Sequence, residues 1–236
     1  MSFLAQRRRE PEWMDRPDAD PELLRKSLAF IRRINRLLGY TRATISHLER
    51  FSRHWARGQR IDIVDLATGS ADIPRAILRW ASRKGFDVHV VGVDNHALTV
   101  QAADAGPADP RLRLVRGDVF SLPFVAGSFD YALCAMFLHH LSDSEAAAVL
   151  KTMGSLARRG VIVADLLRHY RAYAWISGLT VFSNPMVRHD ARASVAQAFS
   201  KNEIVRLRDQ AGINFARYYR HFGHRFALTA ALDRTL

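Results

Sequence analysis

The chain has 236 residues, 48% of them hydrophobic, and a formal net charge of +12. That fits one large α/β domain, or one domain with extensions, around a substantial core; Cys134 as the lone cysteine excludes a disulfide framework, and no apolar run approaches the roughly 18–20 residues that span a bilayer. The charge is segregated: residues 1–60 hold 14 Lys and Arg against 7 Asp and Glu, residues 61–150 hold 7 against 11, and residues 151–236 hold 14 against 5.

The N-terminal MSFLAQRRREPEWMD has no hydrophobic signal region. With a single cysteine, a reducing compartment and a cytoplasmic location are expected. In DADPELLRKSLAFIRRINRLLGY, Asp20 is a good N-cap and Pro21 suits the first helical position. Leu24, Leu28, Ile31, Ile34 and Leu38 recur at helical spacing, and Gly39 can end the helix. Arg25, Lys26, Arg32, Arg33 and Arg36 lie mostly off that stripe. This helix either packs on a domain or, as a basic amphipathic surface helix, brings residues 21–38 to a membrane. A second helix is expected from Arg42 to Trp55, making residues 1–60 a helical extension.

From residue 61 the period changes. RIDIVDL, FDVHVVGVD, RLRLVRGD, FDYALCAMF and RGVIVADLL are short runs rich in β-branched residues, separated mostly by helical segments at 73–84, 96–104 and 143–157. Such alternation implies a parallel sheet with helices on both faces. Residues 166–194 are aromatic, basic and irregular, and are expected to form an insert or lid. SKNEIVRLRDQAGI opens with a capping box, Ser200 and Glu203, and NFARYYRH and HRFALTA suit a hairpin turning at Phe222–Gly223. Residues 61–236 therefore read as one α/β domain.

Ligands of such sheets collect at the carboxyl ends of the strands. Those ends carry Asp65, Ala67, Gly69 and Asp72 after the first strand, Asp94 after the second, Asp118 after the third, CAMFLHH after the fourth and Asp165 after the fifth. An Asp at a strand end can simply cap the next helix, but three in succession point to a ligand. Asp94 is placed for ribose hydroxyls and Asp118 for an adenine amino group. The turn Leu-Ala-Thr-Gly-Ser-Ala-Asp lacks both the G-x-G-x-x-G pattern and a phosphate-binding Lys. It suits an adenosine ligand that is cationic rather than phosphorylated, such as S-adenosylmethionine.

VDLATGSADI, GVDN, GDVFSLPFVAGSFDYALCAMFLHHLSD, ARRGVIVADLLR and AFSKNEIVRLRDQAG together resemble the class I S-adenosylmethionine-dependent methyltransferases, closest to the small-molecule group of the ubiquinone and menaquinone methyltransferases. The resemblance covers most of residues 61–212. It implies a Rossmann-like seven-stranded sheet whose last strand is antiparallel, and S-adenosyl-L-methionine as cofactor. Carried over by position, Asp65, Ala67 and Gly69 shape the methionine end, Asp94 and Asn95 the ribose, Asp118 and Val119 the adenine, and Ala135 and Met136 the methionine side after the fourth strand. The family has glycines where Ala67 or Thr68 and Ala71 stand. Alanine is acceptable there if φ stays negative, so a slightly tighter loop is expected.

Methyl transfer is an in-line displacement at a sulfonium methyl, so the protein supplies alignment and excludes water. An oxygen nucleophile must also lose a proton. His139 and His140 are candidate general bases, with Asp165 as orienter or alternative base, or else they pack and cap the helix opened by Ser142. The lid's Tyr170, Tyr173, Trp175, Phe182 and Met186 suit a flat apolar acceptor, and Arg168, Arg171, Arg188 and His189 an anionic group on it. No metal is expected. The acceptor is read as a phenolic or quinone-like metabolite methylated on oxygen, or on carbon. Two rivals are a nucleic-acid methyltransferase, favoured by charge but lacking an Asn/Asp-Pro-Pro-aromatic stretch after the fourth strand, and a non-catalytic binder of S-adenosylmethionine.

Overall fold

The computed structural model describes residues 4–16, 18–37 and 39–232. The strands are β1 (Arg60–Leu66), β2 (Asp87–Asp94), β3 (Leu112–Arg116), β4 (Phe129–Ala135), β5 (Ala157–Leu166), β6 (Arg217–His221) and β7 (Arg225–Ala231). They form one sheet in the order β3-β2-β1-β4-β5-β7-β6. Neighbours pair in parallel except at β7, which runs antiparallel to both β5 and β6. The strand order reverses between β1 and β4, which opens a crevice at their carboxyl ends.

Alternation along each strand sends side chains to two cores. Val64, Leu66, Ala132, Cys134, Val161 and Val163 meet α5 (Asp143–Leu156) and α8 (Lys201–Gln210) on one face. Ile61, Ile63, Tyr131, Leu133, Ile162 and Ala164 meet α2 (Tyr40–Phe51) and α3 (Asp72–Lys84) on the other. Burial of both faces explains why the strands read as nearly unbroken apolar runs. The short α4 (Ala97–Asp104) follows β2. Capping boxes at Ser142/Glu145 and Ser200/Glu203 start α5 and α8, each satisfying backbone N–H groups that the helix leaves free.

The N-terminal helices lie on the domain. Tyr40, Leu48 and Trp55 join the α3 core, and the Trp55 indole donates to the Tyr131 hydroxyl at 2.8 Å. In α1 (Pro21–Leu37), whose start is fixed by Asp20 accepting from the Leu23 N–H, Leu24 and Leu28 are buried. Ile31 and Ile34 line the large cavity described below. Of the two readings of 21–38, the helix thus packs on the domain, its stripe turned inward over the apolar surface the domain offers. Leu38 and the side chain of Arg36 lie outside the described residues.

Residues 166–194 are not irregular. They hold α6 (Tyr170–Leu179) and α7 (Pro185–Gln197). The Asn184 side chain accepts from the Val187 N–H with Pro185 in the first turn, and His169 accepts from the Arg171 N–H. These local caps outweigh a weak apolar period.

Candidate active site

A cavity of about 1320 Å³ opens at the carboxyl ends of β1, β2 and β4. Its volume exceeds the roughly 300–1,000 Å³ of a usual ligand pocket, leaving room for two molecules side by side. The nine residues expected around the cofactor, Asp65, Ala67, Gly69, Asp94, Asn95, Asp118, Val119, Ala135 and Met136, all line it.

The β1–α3 turn is built by short hydrogen bonds. The Asp94 carboxylate accepts from the Gly69 N–H at 2.8 Å and from the His96 N–H at 3.0 Å. Thr68 donates from its hydroxyl to Asp65 at 2.7 Å and from its N–H to the Val93 carbonyl at 2.9 Å. A Cβ on Gly92 would sit 2.9 Å from the Thr68 hydroxyl, so glycine there lets β2 approach the turn. Ala67 and Ala71 adopt φ of +55° and +56°, against the expectation of negative φ. The turn keeps the left-handed geometry that glycine favours, and the alanines take it with strain, about 1–2 kcal/mol each. Met136, after β4, is left-handed as well at φ +57°.

The acidic end of the cavity is built for a cation. Asp65 is buried, and its Oδ1 has no hydrogen-bond partner. Burial pushes its pKa up to about 7; Asp72 and Asp94 push the same way, while the Thr68 hydrogen bond opposes them. Burial also raises Asp72 and Asp94. Asn35 of α1 donates to Asp72 at 3.2 Å, so α1 borders this end of the cavity. An orphaned buried carboxylate oxygen beside two more acids fits an ammonium or sulfonium.

His139 and His140 follow β4 in a 3-10 turn, Leu138–His140, and both line the cavity. The His139 Nδ1 lies 2.6 Å from Asp165, which also accepts the His139 backbone N–H at 3.1 Å. Its Nε2 faces Glu12 at 3.6 Å. The His140 Nδ1 lies 2.9 Å from Asp15, and its Nε2 is 3.9 Å from the same Glu12 oxygen. Asp165 itself is buried behind His139, so it orients rather than faces the cavity. Burial opposes protonation of both rings. For His139 the charge and hydrogen bond of Asp165, with Glu12, outweigh it and raise the pKa. For His140, Glu12 and Asp15 do so. Glu12 is 4% exposed, and despite burial the two histidines and the Ser194 hydroxyl hold its carboxyl low. Of the two rings His140 is the more accessible, 21% against 2% for His139. The donor atoms of Glu12, His139 and His140 all lie within 4.8 Å of one another, an arrangement that could hold a metal ion although none was expected.

Sequence reasoning missed Glu12. It comes from the N-terminal segment, which Arg7 straps down by donating to the carbonyls of Gln197, His139 and Leu141 and pairing with Asp143 at 2.8 Å. Ser194 and Gln197 of α7 donate to the Glu12 carboxylate. Nothing local in EPEWMD marks such a residue.

Among the expected acceptor residues, Trp175 and Arg171 line the cavity. Arg168 is buried in a two-pronged pair with Glu203 at 2.8 and 2.9 Å and donates to the Ala198 carbonyl. His189 stacks on Trp13 with centroids 4.4 Å apart and pairs with Asp190 and Glu10. Tyr170, Tyr173 and Met186 also lie off the cavity wall, Met186 because α7 turns it into the interior. The wall they were expected to form is supplied instead by Leu28, Ile31 and Ile34 of α1 and by Ile176 of α6.

The sheet order and the acid-lined crevice at the carboxyl ends of β1, β2 and β4 are those of the Rossmann-like methyltransferase fold. Residues 63–160 match the family model described as a methyltransferase domain. No curated protein sequence matches it significantly. Among solved structures it is similar to the plantazolicin methyltransferase, with a TM-score of 0.69 at 12% identity over 94% of this chain and 93% of that one. It is also similar to magnesium protoporphyrin IX methyltransferase of Synechocystis PCC 6803, at TM-score 0.59 and 17% identity, covering 90% and 99%. Against human N-acetylserotonin methyltransferase the TM-score is 0.53 at 16% identity, over 72% of this chain, which spans only 47% of the human one. At these identities the likeness is one of fold.

Proposed function

We propose that this chain transfers the methyl group of S-adenosylmethionine to an oxygen of a small, flat, apolar acceptor of phenolic or quinone-like character. The observation that carries this reading is the mixed lining of one cavity. Its wall holds acids, with the partnerless Asp65 Oδ1, together with the apolar Leu28, Ile31, Ile34 and Trp175, and His139 and His140 line it too.

When bound, S-adenosylmethionine supplies an electrophilic methyl group on a good thioether leaving group. Asp65 would accept from its ammonium, Asp94 from the ribose hydroxyls and Asp118 from the adenine amino group, while Val119 would pack on the adenine. The base is His140, the more accessible ring, oriented through Nδ1 by Asp15. It takes the acceptor's hydroxyl proton, and the imidazolium formed is stabilised by Glu12. His139, clamped between Asp165 and Glu12, holds that carboxylate in place. Residues 166–194 and α1 cover the acceptor and keep water out. The plantazolicin and protoporphyrin methyltransferases named above are bound in their crystals to the demethylated cofactor, which supports the cofactor half of this reading.

Calorimetric titration with S-adenosylmethionine tests the cofactor site: the wild type binds, and Asp94→Ala loses binding. For the base, turnover of a phenolic acceptor is expected to fall at least a hundredfold in a His139→Ala/His140→Ala double variant that still binds the cofactor. Normal turnover in that variant would rule out the histidines.

A further inference from the structure

The cavity mouth carries a second feature, independent of the chemistry within. Phe182 is 100% exposed and Phe222, at the β6–β7 hairpin tip, is 88% exposed. Trp175, Leu179 and Val181 of α6 and its exit turn are exposed too, as is Leu37 at the end of α1. Leu179 stands one helical turn beyond Trp175 on α6, and Val181 and Phe182 follow it in the chain. Phe222 and Trp175 both line the cavity, and Phe222 and Leu37 share the shallow pocket beside it. His169, just before α6, stacks on His224 of the hairpin with centroids 4.1 Å apart. Scattered exposed apolar residues are ordinary, but aromatic and aliphatic side chains gathered at one opening mark an interaction surface.

The charge of the rim selects its partner. The two segments that build most of it, 166–189 and 210–232, contain no Asp or Glu at all, while each contains three arginines. Arg225 is buried and the Arg168 side chain is held by Glu203, but Arg171 and Arg220, which line the cavity mouth, are exposed. A second copy would have to set arginine against arginine, in a molecule already carrying +12. Basic residues with exposed Phe and Trp are what an anionic lipid surface takes up, with the rings at the headgroup level and the guanidinium groups on the phosphates.

We infer that this rim docks on an anionic membrane surface, with the cavity mouth facing the lipid, so that an apolar acceptor can enter from the bilayer without crossing water. The site is distinct from residues 21–38, whose apolar stripe faces inward, and only the end of α1 at Leu37 belongs to it.

The test is sedimentation with vesicles of phosphatidylcholine containing about 30% phosphatidylglycerol, against vesicles of phosphatidylcholine alone. The full chain is expected to bind the anionic vesicles at least tenfold more tightly, and less tightly as salt is raised. Val181→Ser/Phe182→Ser is expected to weaken that binding at least tenfold while its melting temperature and cofactor affinity stay at wild-type values. Arg171→Gln/Arg220→Gln is expected to narrow the preference for anionic lipid. Absence of vesicle binding by the folded wild type would overturn the inference, as would Val181→Ser/Phe182→Ser vesicle binding equal to wild type. So would a wild-type dimer in light scattering that the same variant converts to monomer, since a second copy would then cover the rim.

Discussion

Asp65 makes the most exacting prediction, because its state must change when the cofactor binds. In the free protein burial raises its pKa to about 7 from an ordinary 3.8. A cationic ligand against the partnerless Oδ1 removes the reason for that elevation and favours the carboxylate. Returning the group to its ordinary value is worth about 4 kcal/mol, since each pH unit corresponds to about 1.4 kcal/mol. The sign follows: below pH 7 the free protein holds a proton on Asp65 that binding must expel, so affinity falls as pH falls. From pH 7 to pH 5 the affinity for S-adenosylmethionine is expected to drop by about fiftyfold. An α-amino group titrates near 7.7–8.0, so the ligand remains a cation throughout that window. The assay is calorimetry at pH 6 in buffers of different ionisation enthalpy. About 0.9 proton should be released per ligand bound, the protonated fraction of a group whose pKa is about 7. Asp65→Asn should bind more weakly, with little pH dependence and no such release. An affinity that is flat between pH 5 and 7 in the wild type, with heats independent of buffer, would refute the assignment of Asp65 to the cation.

Three further outcomes are expected. Ala67→Gly and Ala71→Gly, at φ +55° and +56°, should each stabilise the fold by about 0.5–1 kcal/mol, seen as a higher denaturant midpoint. Arg168→Ala should cost about 3 kcal/mol of stability by stranding Glu203, yet leave cofactor affinity and the acceptor KM unchanged, since Arg168 does not line the cavity. Chelators should leave turnover intact, whereas Zn²⁺ should inhibit by occupying Glu12, His139 and His140, whose donor atoms lie within 4.8 Å of one another; chelation should then restore activity.

The acid-rich half of the site was legible because it follows from local rules. A strand ends, the chain must turn, and the acid that ends it faces the crevice, so Asp65, Asp94 and Asp118 could be placed from apolar runs and their terminal residues alone. Capping boxes fixed α5 and α8 in the same way, because a cap and its helix are neighbours in the chain. Backbone sign in the turn was not legible: Ala67 and Ala71 look compatible with ordinary φ until the bonds from Asp94 to Gly69 and from Thr68 to Val93 hold the turn in its glycine-like shape.

What the sequence by itself determined, then, is the alternating α/β architecture, the acidic strand ends and the cofactor class they imply, since period, caps and strand ends are properties of adjacent residues. What only the tertiary structure decided is the other half of the cavity. Glu12 reaches His139 across 127 positions, Arg168 and His189 are taken by Glu203 and Glu10, and the stripe on α1 turns from a possible surface into a wall. Each of those outcomes depends on which distant element offers a partner for a charge or an apolar face, and that competition is settled only when the chain is packed.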